Sequence, residues 1–530
     1  MHARWYAPSF SLPRSLLSTH IRAFSQTRTA MTRTYADAVA ALNTLQSNFA
    51  IVDAIRKSGR SMNNQAIPEM QTWWRRIGYQ LSDLDKLNVV HVAGTKGKGS
   101  MSAFTSSILT QFLGKKSERT GKRLEKIGLY TSPHLRFVRE RVQINNAPLS
   151  EEMFARYFFE TWDRLEKSAE VEKRDPAEKP VYFRFLTLMA FHVYLSEGVD
   201  GVILECGVGG RYDSTNIVEK PIVTAITKLG IDHVGMLGGT IEEIAWHKAG
   251  IMKEGVMCLT ASGQKNEAVE VLKKVASEVG TELVEVGVHY DIQSGYVKLG
   301  LQGAFQQGNA SLAVEVATKW LEEMQVHPTN QEEMDGIQDG LGLVKWPGRC
   351  ETRKEQGITW CIDGGHTLDS IEVAGAWFAE QLRSSLDSSG SKTRCLIFNQ
   401  QTRDADALAK ALHDTLAAAL GKEKPFSHAV FCTNTTFQDT GFRPDLISVN
   451  TNASDVDEMK VQNQLAETWK QIDAKTDVKV VKTIEEAVAI VRKLASTRQD
   501  GDDVKALVTG SLHLVGGFLE VIETGRNREA

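Results

Sequence analysis

A chain of 530 residues is too long for one compact core, so two domains are the default expectation. Its 62 basic and 66 acidic side chains leave a net charge of −4, which gives no electrostatic case for a nucleic-acid or anionic-membrane partner. The longest apolar runs, such as "FRFLTLMAFHVYL" at 183–195, are short and broken by Arg184 and His192, well under the roughly 20 residues of a membrane span.

The chain opens with Arg4, Arg14, Arg22, Arg28 and Arg33, many Ser and Thr, and no acid before Asp37. That is the composition of a mitochondrial transit peptide, and residues 1–35 are expected to be one, with "RAFS" at 22–25 suiting removal near Phe24. A start at Met31 would give a shorter form, so the expected locations are the mitochondrion (the matrix, free or associated with the inner membrane) and the cytoplasm. An unaddressed disordered tail is the alternative. Six cysteines (206, 258, 350, 361, 395, 432) without a CxxC pair read as reduced, mostly structural thiols.

Val89 to Ala93 is a short apolar strand run, followed at once by "GTKGKGS" at 94–100. Met101, Phe104, Ile108 and Phe112 then recur at helical spacing until Gly114. Residues 114–127 read as a basic, solvated loop. "GVILECG" at 201–207 and "PIVTAIT" at 221–227 read as buried parallel strands. Thr240 and Glu243 form a capping box at the head of "TIEEIAWHKAG". Residues 309–324 carry Ala313, Val316, Ala317, Trp320, Leu321 and Met324 on one helical stripe, and 327–345 reads as a polar, Gly-rich stretch. Beyond it, strands are expected at 358–362, 394–398, 428–432, 478–481 and 506–509, with helices between them, one capped by Thr483 and Glu486. The fold class is therefore α/β: a phosphate-loop domain over 36–345 with a parallel-type central sheet, and a smaller Rossmann-like α/β domain over 346–530.

Strand, glycine turn, helix is the context of a phosphate-binding loop, although Gly99 separates Lys98 from Ser100 where the usual pattern has them adjacent. Amides of 94–99 can cradle phosphate, Lys98 can reach the terminal phosphates, and Ser100 can approach Mg²⁺. Glu205 closes a strand on the ligand side of the sheet and reads equally as a Mg²⁺ ligand or a solvated acid. Asp232 and His233 follow the next strand; a lone histidine is more often structural. Lys248 shares an apolar helix face with Ile241 and Ile244, so it either turns inward toward an anion or snorkels out. Arg349 of "WPGRCE" can clamp phosphate, while Asp363, His366 and Ser511 lie at strand ends of the second domain. Two sets of strand-end polar groups imply a substrate enclosed between the domains.

In order along the chain, "HVAGTKGKGS", "YTSPHLRFVRERVQIN", "YFRFLTLMAFH", "ECGVGGRYDSTN", "GIDHVGMLGGTIEEIAWHKAGI", "FQQGNA", "WPGR", "DGGHT", "FNQQTRD" and "VTGSLHLVGGFL" resemble the folylpolyglutamate synthase family, a branch of the Mur ligases. The resemblance runs from about Tyr35 to Leu519. It implies an ATP-dependent ligase adding L-glutamate to the γ-carboxylate of a reduced folate. By position, Gly94, Gly97, Lys98, Gly99, Ser100, Asn309 (near the adenine), Arg349 and Asp363 would hold ATP. Ser132, Glu205, His233 and Lys248 match metal ligands, Lys248 as a carbamate. Asp363, His366 and Ser511 would line the glutamate site, and Lys98, Lys248, Asp363 and His366 would carry catalysis, with His366 or Asp363 as base. The implied partners are small molecules only (reduced folate, L-glutamate and ATP), with Mg²⁺ and a monovalent cation such as K⁺ as cofactors, on a monomer. Phe305 stands where relatives often carry His, and Gly365 where Ala is common. Dihydrofolate synthase, and an ATP-binding switch without turnover, remain the alternatives.

Overall fold

The computed structural model describes residues 33–46, 64–383, 393–401, 403–421, 425–439, 441, 444–446, 458–497 and 503–529. The leader expectations for residues up to 32 lie outside the described residues. The first sheet holds β1 (Val89–Ala93), β2 (Ile127–Tyr130), β3 (Val142–Ile144), β4 (Ala147–Pro148), β5 (Gly201–Glu205), β6 (Val223–Ile226), β7 (Cys258–Ala261) and β8 (Leu283–Val286). Its order is β4-β3-β2-β5-β1-β6-β7-β8. β1 lies inside, parallel to β5 and β6 on either side, and every residue of β1 and β5 is buried. Burial on both faces is why these strands read as mainly apolar runs, with His91 buried in the middle of β1 and Glu205 at the end of β5.

The sheet is mixed at one edge: β2–β3 and β3–β4 are antiparallel. Asn145 and Asn146 turn the second of these hairpins with φ of 51° and 62°, the left-handed pair a tight two-residue turn requires. The second sheet holds β9 (Glu351–Glu355), β10 (Ile358–Ile362), β11 (Arg394–Phe398), β12 (His428–Thr435), β13 (Asp477–Thr483) and β14 (Val504–Thr509), in the order β13-β12-β11-β14-β10-β9. Only β9 runs antiparallel there, and the sequence pattern did not reveal it. Residue 346 falls in the segment joining the sheets, between Val286 and Glu351.

Six helices matter below: α1 (Tyr35–Asn43), α2 (Lys98–Leu109), α3 (Ile241–Ala249), α4 (Gln306–Glu323), α5 (Asn330–Leu343) and α6 (Leu512–Glu529). On α4 the whole expected stripe is buried. Each aliphatic side chain buried there stabilises by about 1.5–3 kcal/mol. Trp320 also donates its indole N–H to the Asn88 carbonyl at 2.8 Å, in a space left open by Gly201.

Two expectations need correction. The Gly-rich stretch at 327–345 is mostly helix: α5 starts at a capping box of Thr329 and Glu332. Its glycines are packing devices, because a Cβ at Gly336 would lie 2.7 Å from the Phe112 ring and one at Gly340 would lie 2.5 Å from the Ile108 Cα. The basic loop at 114–127 is also not simply solvated. Ser117 is buried and donates to the Met324 carbonyl at 2.6 Å, Leu124 is buried, and Ile127 already belongs to β2. All six cysteines are buried thiols outside any disulfide. No helix among the described residues is long and apolar enough to cross a membrane.

Candidate active site

β5, β1 and β6 end side by side, with Glu205 opposite Val92 and Ala93 opposite Ile226. Their exits therefore bring Glu205, the glycine turn and the 227–233 segment to one sheet edge, where open α/β sheets bind ligands. Gly94 has φ of 145°, and a Cβ there would overlap the Thr227 hydroxyl. Thr95 and Lys96 both donate their N–H to the Lys228 carbonyl at 3.0 Å. This narrows the expected 94–99 cradle. What remains for an anion is the first turn of α2, whose leading N–H groups have no intrahelical partner.

α4 backs this turn. Gln306 donates to the Ser100 hydroxyl at 3.3 Å and accepts from Asn309 at 2.9 Å. Asn309 in turn lies against Gly97, where φ is 85° and a Cβ would overlap the Asn309 amide oxygen. Asn309 thus sits at the glycine turn itself. Trp346 lies over Gly99, its indole nitrogen 3.2 Å from the position of a Cβ there.

Two lysines share one acceptor. The Gly94 carbonyl receives the Lys98 ammonium at 3.1 Å and Lys248 at 2.7 Å. Lys248 is turned inward, 3% exposed, which resolves the orientation its spacing left open. Burial, with Lys98 adding repulsion, pushes its pKa down to about 7. Glu205 is buried, and burial raises its carboxyl above the usual range while Lys98 opposes the shift. One Glu205 oxygen accepts the Ser132 N–H at 3.2 Å; the other lies 4.0 Å from Lys98. A buried carboxylate beside a serine fits Mg²⁺, which takes few protein ligands and keeps phosphate and water oxygens. Among the described residues no three His, Cys, Asp or Glu side chains form a cage for a metal. His233 has left-handed backbone (φ 52°) and an exposed edge; partial desolvation, with Lys248 and Lys98 adding repulsion, lowers its pKa against the pull of Asp232, which favours the neutral form that ligates.

The second sheet supplies the facing wall. Asp363 accepts the Cys350 N–H at 2.9 Å on one oxygen and the Gly365 N–H at 2.8 Å on the other. It braces the "WPGR" and "DGGH" segments against each other, and burial raises its pKa. The His366 Nδ1 is 2.9 Å from the Gly364 carbonyl, so Nδ1 carries the proton and Nε2 is left as an acceptor. Burial pushes His366 down to about 4. Ser511 caps α6, its hydroxyl oxygen accepting from His513 N at 3.1 Å and Leu514 N at 3.5 Å. Gly364 leaves room for the Arg349 guanidinium, whose charge acts on Glu205 as well as on Asp363.

Two pairs cross the crevice that sequence reasoning assigned no role. Arg403 meets Asp232 at 3.1 Å, and Lys96 binds the Thr367 hydroxyl while lying 4.0 Å from Asp232. Burial would raise the Asp232 pKa, but His233, Arg403 and Lys96 together hold it at about 2. Arg403 belongs to "FNQQTRD" and Lys96 to the glycine turn, so both signals were present in quoted motifs without a partner to interpret them.

No protein-family model matches the chain. It is 45% identical to the folylpolyglutamate synthase of Neurospora crassa over 518 residues, covering 96% of each chain. It is also 45% identical to a probable folylpolyglutamate synthase of Schizosaccharomyces pombe, covering 93% of this chain and 95% of that one. In fold it is similar to the Mycobacterium tuberculosis folylpolyglutamate synthase complexed with ADP, with a TM-score of 0.66, 21% identity, and coverage of 92% and 99%. A folylpolyglutamate synthase complexed with AMPPCP and folate gives a TM-score of 0.62 at 23% identity, with coverage of 90% and 100%. Two α/β sheets facing each other, with a phosphate-type turn on one and polar strand ends on the other, define an ATP-dependent ligase. The chain belongs to the folylpolyglutamate synthase family.

Proposed function

We propose that the chain extends a reduced folate by forming an amide between its terminal γ-carboxylate and the amine of L-glutamate, releasing ADP and phosphate. The observation that carries this reading is the placement of Lys98 and Glu205 at the glycine turn, opposite the Arg349–Asp363–His366 wall. Residues 36–345 act as the ATP-binding domain and 346–530 as the glutamate-ligase domain.

A carboxylate resists attack by an amine because its leaving group would be oxide. The folate carboxylate oxygen attacks the γ-phosphorus, ADP leaves, and the resulting acyl phosphate has phosphate as its leaving group. Lys98 and the first-turn amides of α2 neutralise charge that grows on the transferring oxygens. Arg349 adds a fixed positive charge from the other wall. Ser132 and Glu205, with His233 and Lys248, would hold Mg²⁺, which when bound neutralises phosphate charge and polarises the P–O bonds. Lys248, with a pKa of about 7, is substantially a free amine at neutral pH, the form that adds carbon dioxide to become a carbamate. The glutamate amine, once deprotonated, attacks the acyl carbon, and phosphate departs. His366 presents Nε2 to accept a hydrogen bond from that amine, and could take its proton only if bound substrate charge raises a pKa that rests at about 4, whereas both Asp363 oxygens already accept backbone N–H groups. Contacts across the crevice keep water from the acyl phosphate.

Purified protein given ATP, L-glutamate and tetrahydrofolate forms glutamate-extended products, read by mass. Activity on dihydropteroate with none on tetrahydrofolate would reassign it as a dihydrofolate synthase. ADP release with no need for glutamate or folate would reduce it to an ATP-binding switch. For location, the leader composition supports supply to the mitochondrion and, from Met31, to the cytoplasm. A reporter carrying residues 1–35 is expected in mitochondria; a wholly cytosolic signal rejects this.

A further inference from the structure

Between Tyr130 and Val142 the chain leaves the larger sheet and seats itself in the smaller one. Leu135 packs against the apolar cluster formed by Ile358, Trp360, Leu514, Val515 and Phe518 beneath the second sheet. Two glycines shape its seat. A Cβ at Gly348 would lie 3.1 Å from the Leu135 side chain, and one at Gly516 would overlap the Leu135 carbonyl oxygen.

The neighbouring polar groups grip the same stretch. Arg136 donates to Glu520 from Nη2 at 2.6 Å and from Nε at 3.2 Å, and also pairs with Glu523. Glu520 is 2% exposed. Glu523 continues to Arg353 at 3.0 Å, Arg353 to Glu351 at 2.6 Å, and Glu351 accepts the Gly348 N–H at 2.9 Å, next to Arg349. Asp445 takes the Val138 N–H on its carboxylate at 2.9 Å and the His134 Nε2–H on its carbonyl at 2.8 Å. A buried ion pair adds little net stability over a well-packed apolar pair, so its value here lies in fixing one geometry.

At its other end the same loop reaches the nucleotide side. The Ser132 N–H donates to Glu205, and only Pro133 and His134 stand between Ser132 and the seated Leu135. So short a tether has little reach, since each peptide unit advances the Cα trace by at most about 3.8 Å. We infer that Leu135 and Arg136 are positioning residues, whose seat in the smaller sheet sets where Ser132 stands relative to Glu205. Phosphoryl transfer is thereby made dependent on how the second sheet is seated on the first. The inference rests on the proposed placement of the phosphates at Ser132 and Glu205.

Gly516→Ala tests it without removing any polar partner. The new Cβ displaces the Leu135 carbonyl, while alanine in a helix interior is intrinsically favourable. In the nucleotide-free full chain, hydrogen exchange across 131–136 is expected to accelerate about tenfold. The kcat for ligation falls about a hundredfold, as for a misplacement of order 1 Å, with the glutamate KM and thermal midpoint near wild type. Wild-type exchange, or faster exchange with wild-type kcat, overturns the inference. Should Gly516→Ala not fold, Arg136→Lys decides: a flexible ammonium cannot reproduce the planar three-point grip on Glu520 and Glu523, and kcat is expected to fall about tenfold with the same exchange signature. Ser132→Ala, run in parallel, separates the two readings. A low kcat there beside an unaffected Gly516→Ala rejects only the coupling, whereas wild-type kcat in Ser132→Ala rejects the placement of the site itself.

Discussion

Lys98→Ala lowers kcat for ligation by about a thousandfold, the cost of deleting one preorganised donor to a charged transition state. The ammonium stands between the Gly94 carbonyl and Glu205, at the head of the helix that would receive the phosphates. Removing it strips the transferring oxygens of their closest fixed cation and leaves Glu205 without the lysine that opposes its burial. Glu205 then takes up a proton more readily and would be a poorer ligand for the proposed Mg²⁺. The fold survives, because Lys98 packs no apolar cluster and sits in the first turn of α2. Steady-state ligation with circular dichroism as the folding control checks this; wild-type turnover removes the glycine turn from the chemistry.

Gly97→Ala weakens binding of a non-hydrolysable ATP analogue by about a hundredfold, of the order expected when strain of about 1–3 kcal/mol is forced on one residue. Two penalties combine. A φ of 85° is left-handed, and the added Cβ overlaps the Asn309 amide oxygen. Asn309 cannot swing aside freely, since it holds Gln306, which holds Ser100. The double variant Gly97→Ala/Asn309→Ala removes the overlap and keeps the backbone strain, so it recovers about tenfold of the lost affinity. Titration calorimetry reads both. Unchanged affinity in the single variant would show that nucleotide does not rest on this turn.

The parts of this fold legible in the sequence are those governed by local pattern. β1, β5 and β6 announced themselves because strands buried on both faces are predominantly apolar, and the Thr240 and Thr483 caps because a capping box is written within four residues. α5 was missed for a non-local reason. Gly336 and Gly340 lower helix propensity, and what they gain is closeness to Ile108 and Phe112, residues more than two hundred positions away. Arg403 and Lys96 were similarly opaque: their partners, Asp232 and Thr367, lie in loops of the opposite domain. Ser511 and Asp363 were recognised as strand-end polar groups, but only in the folded chain does one cap α6 and the other brace two loops.

The paired lysines on the Gly94 carbonyl have an energetic corollary. Burial, with Lys98 adding repulsion, lets Lys248 give up its proton near neutrality, so the Gly94 carbonyl need not face two ammonium groups. Negative charge placed at the glycine turn would draw that proton back, because it favours the charged form of an unmodified Lys248. Occupancy of the turn by phosphate and protonation of this lysine are therefore linked, each strengthening the other.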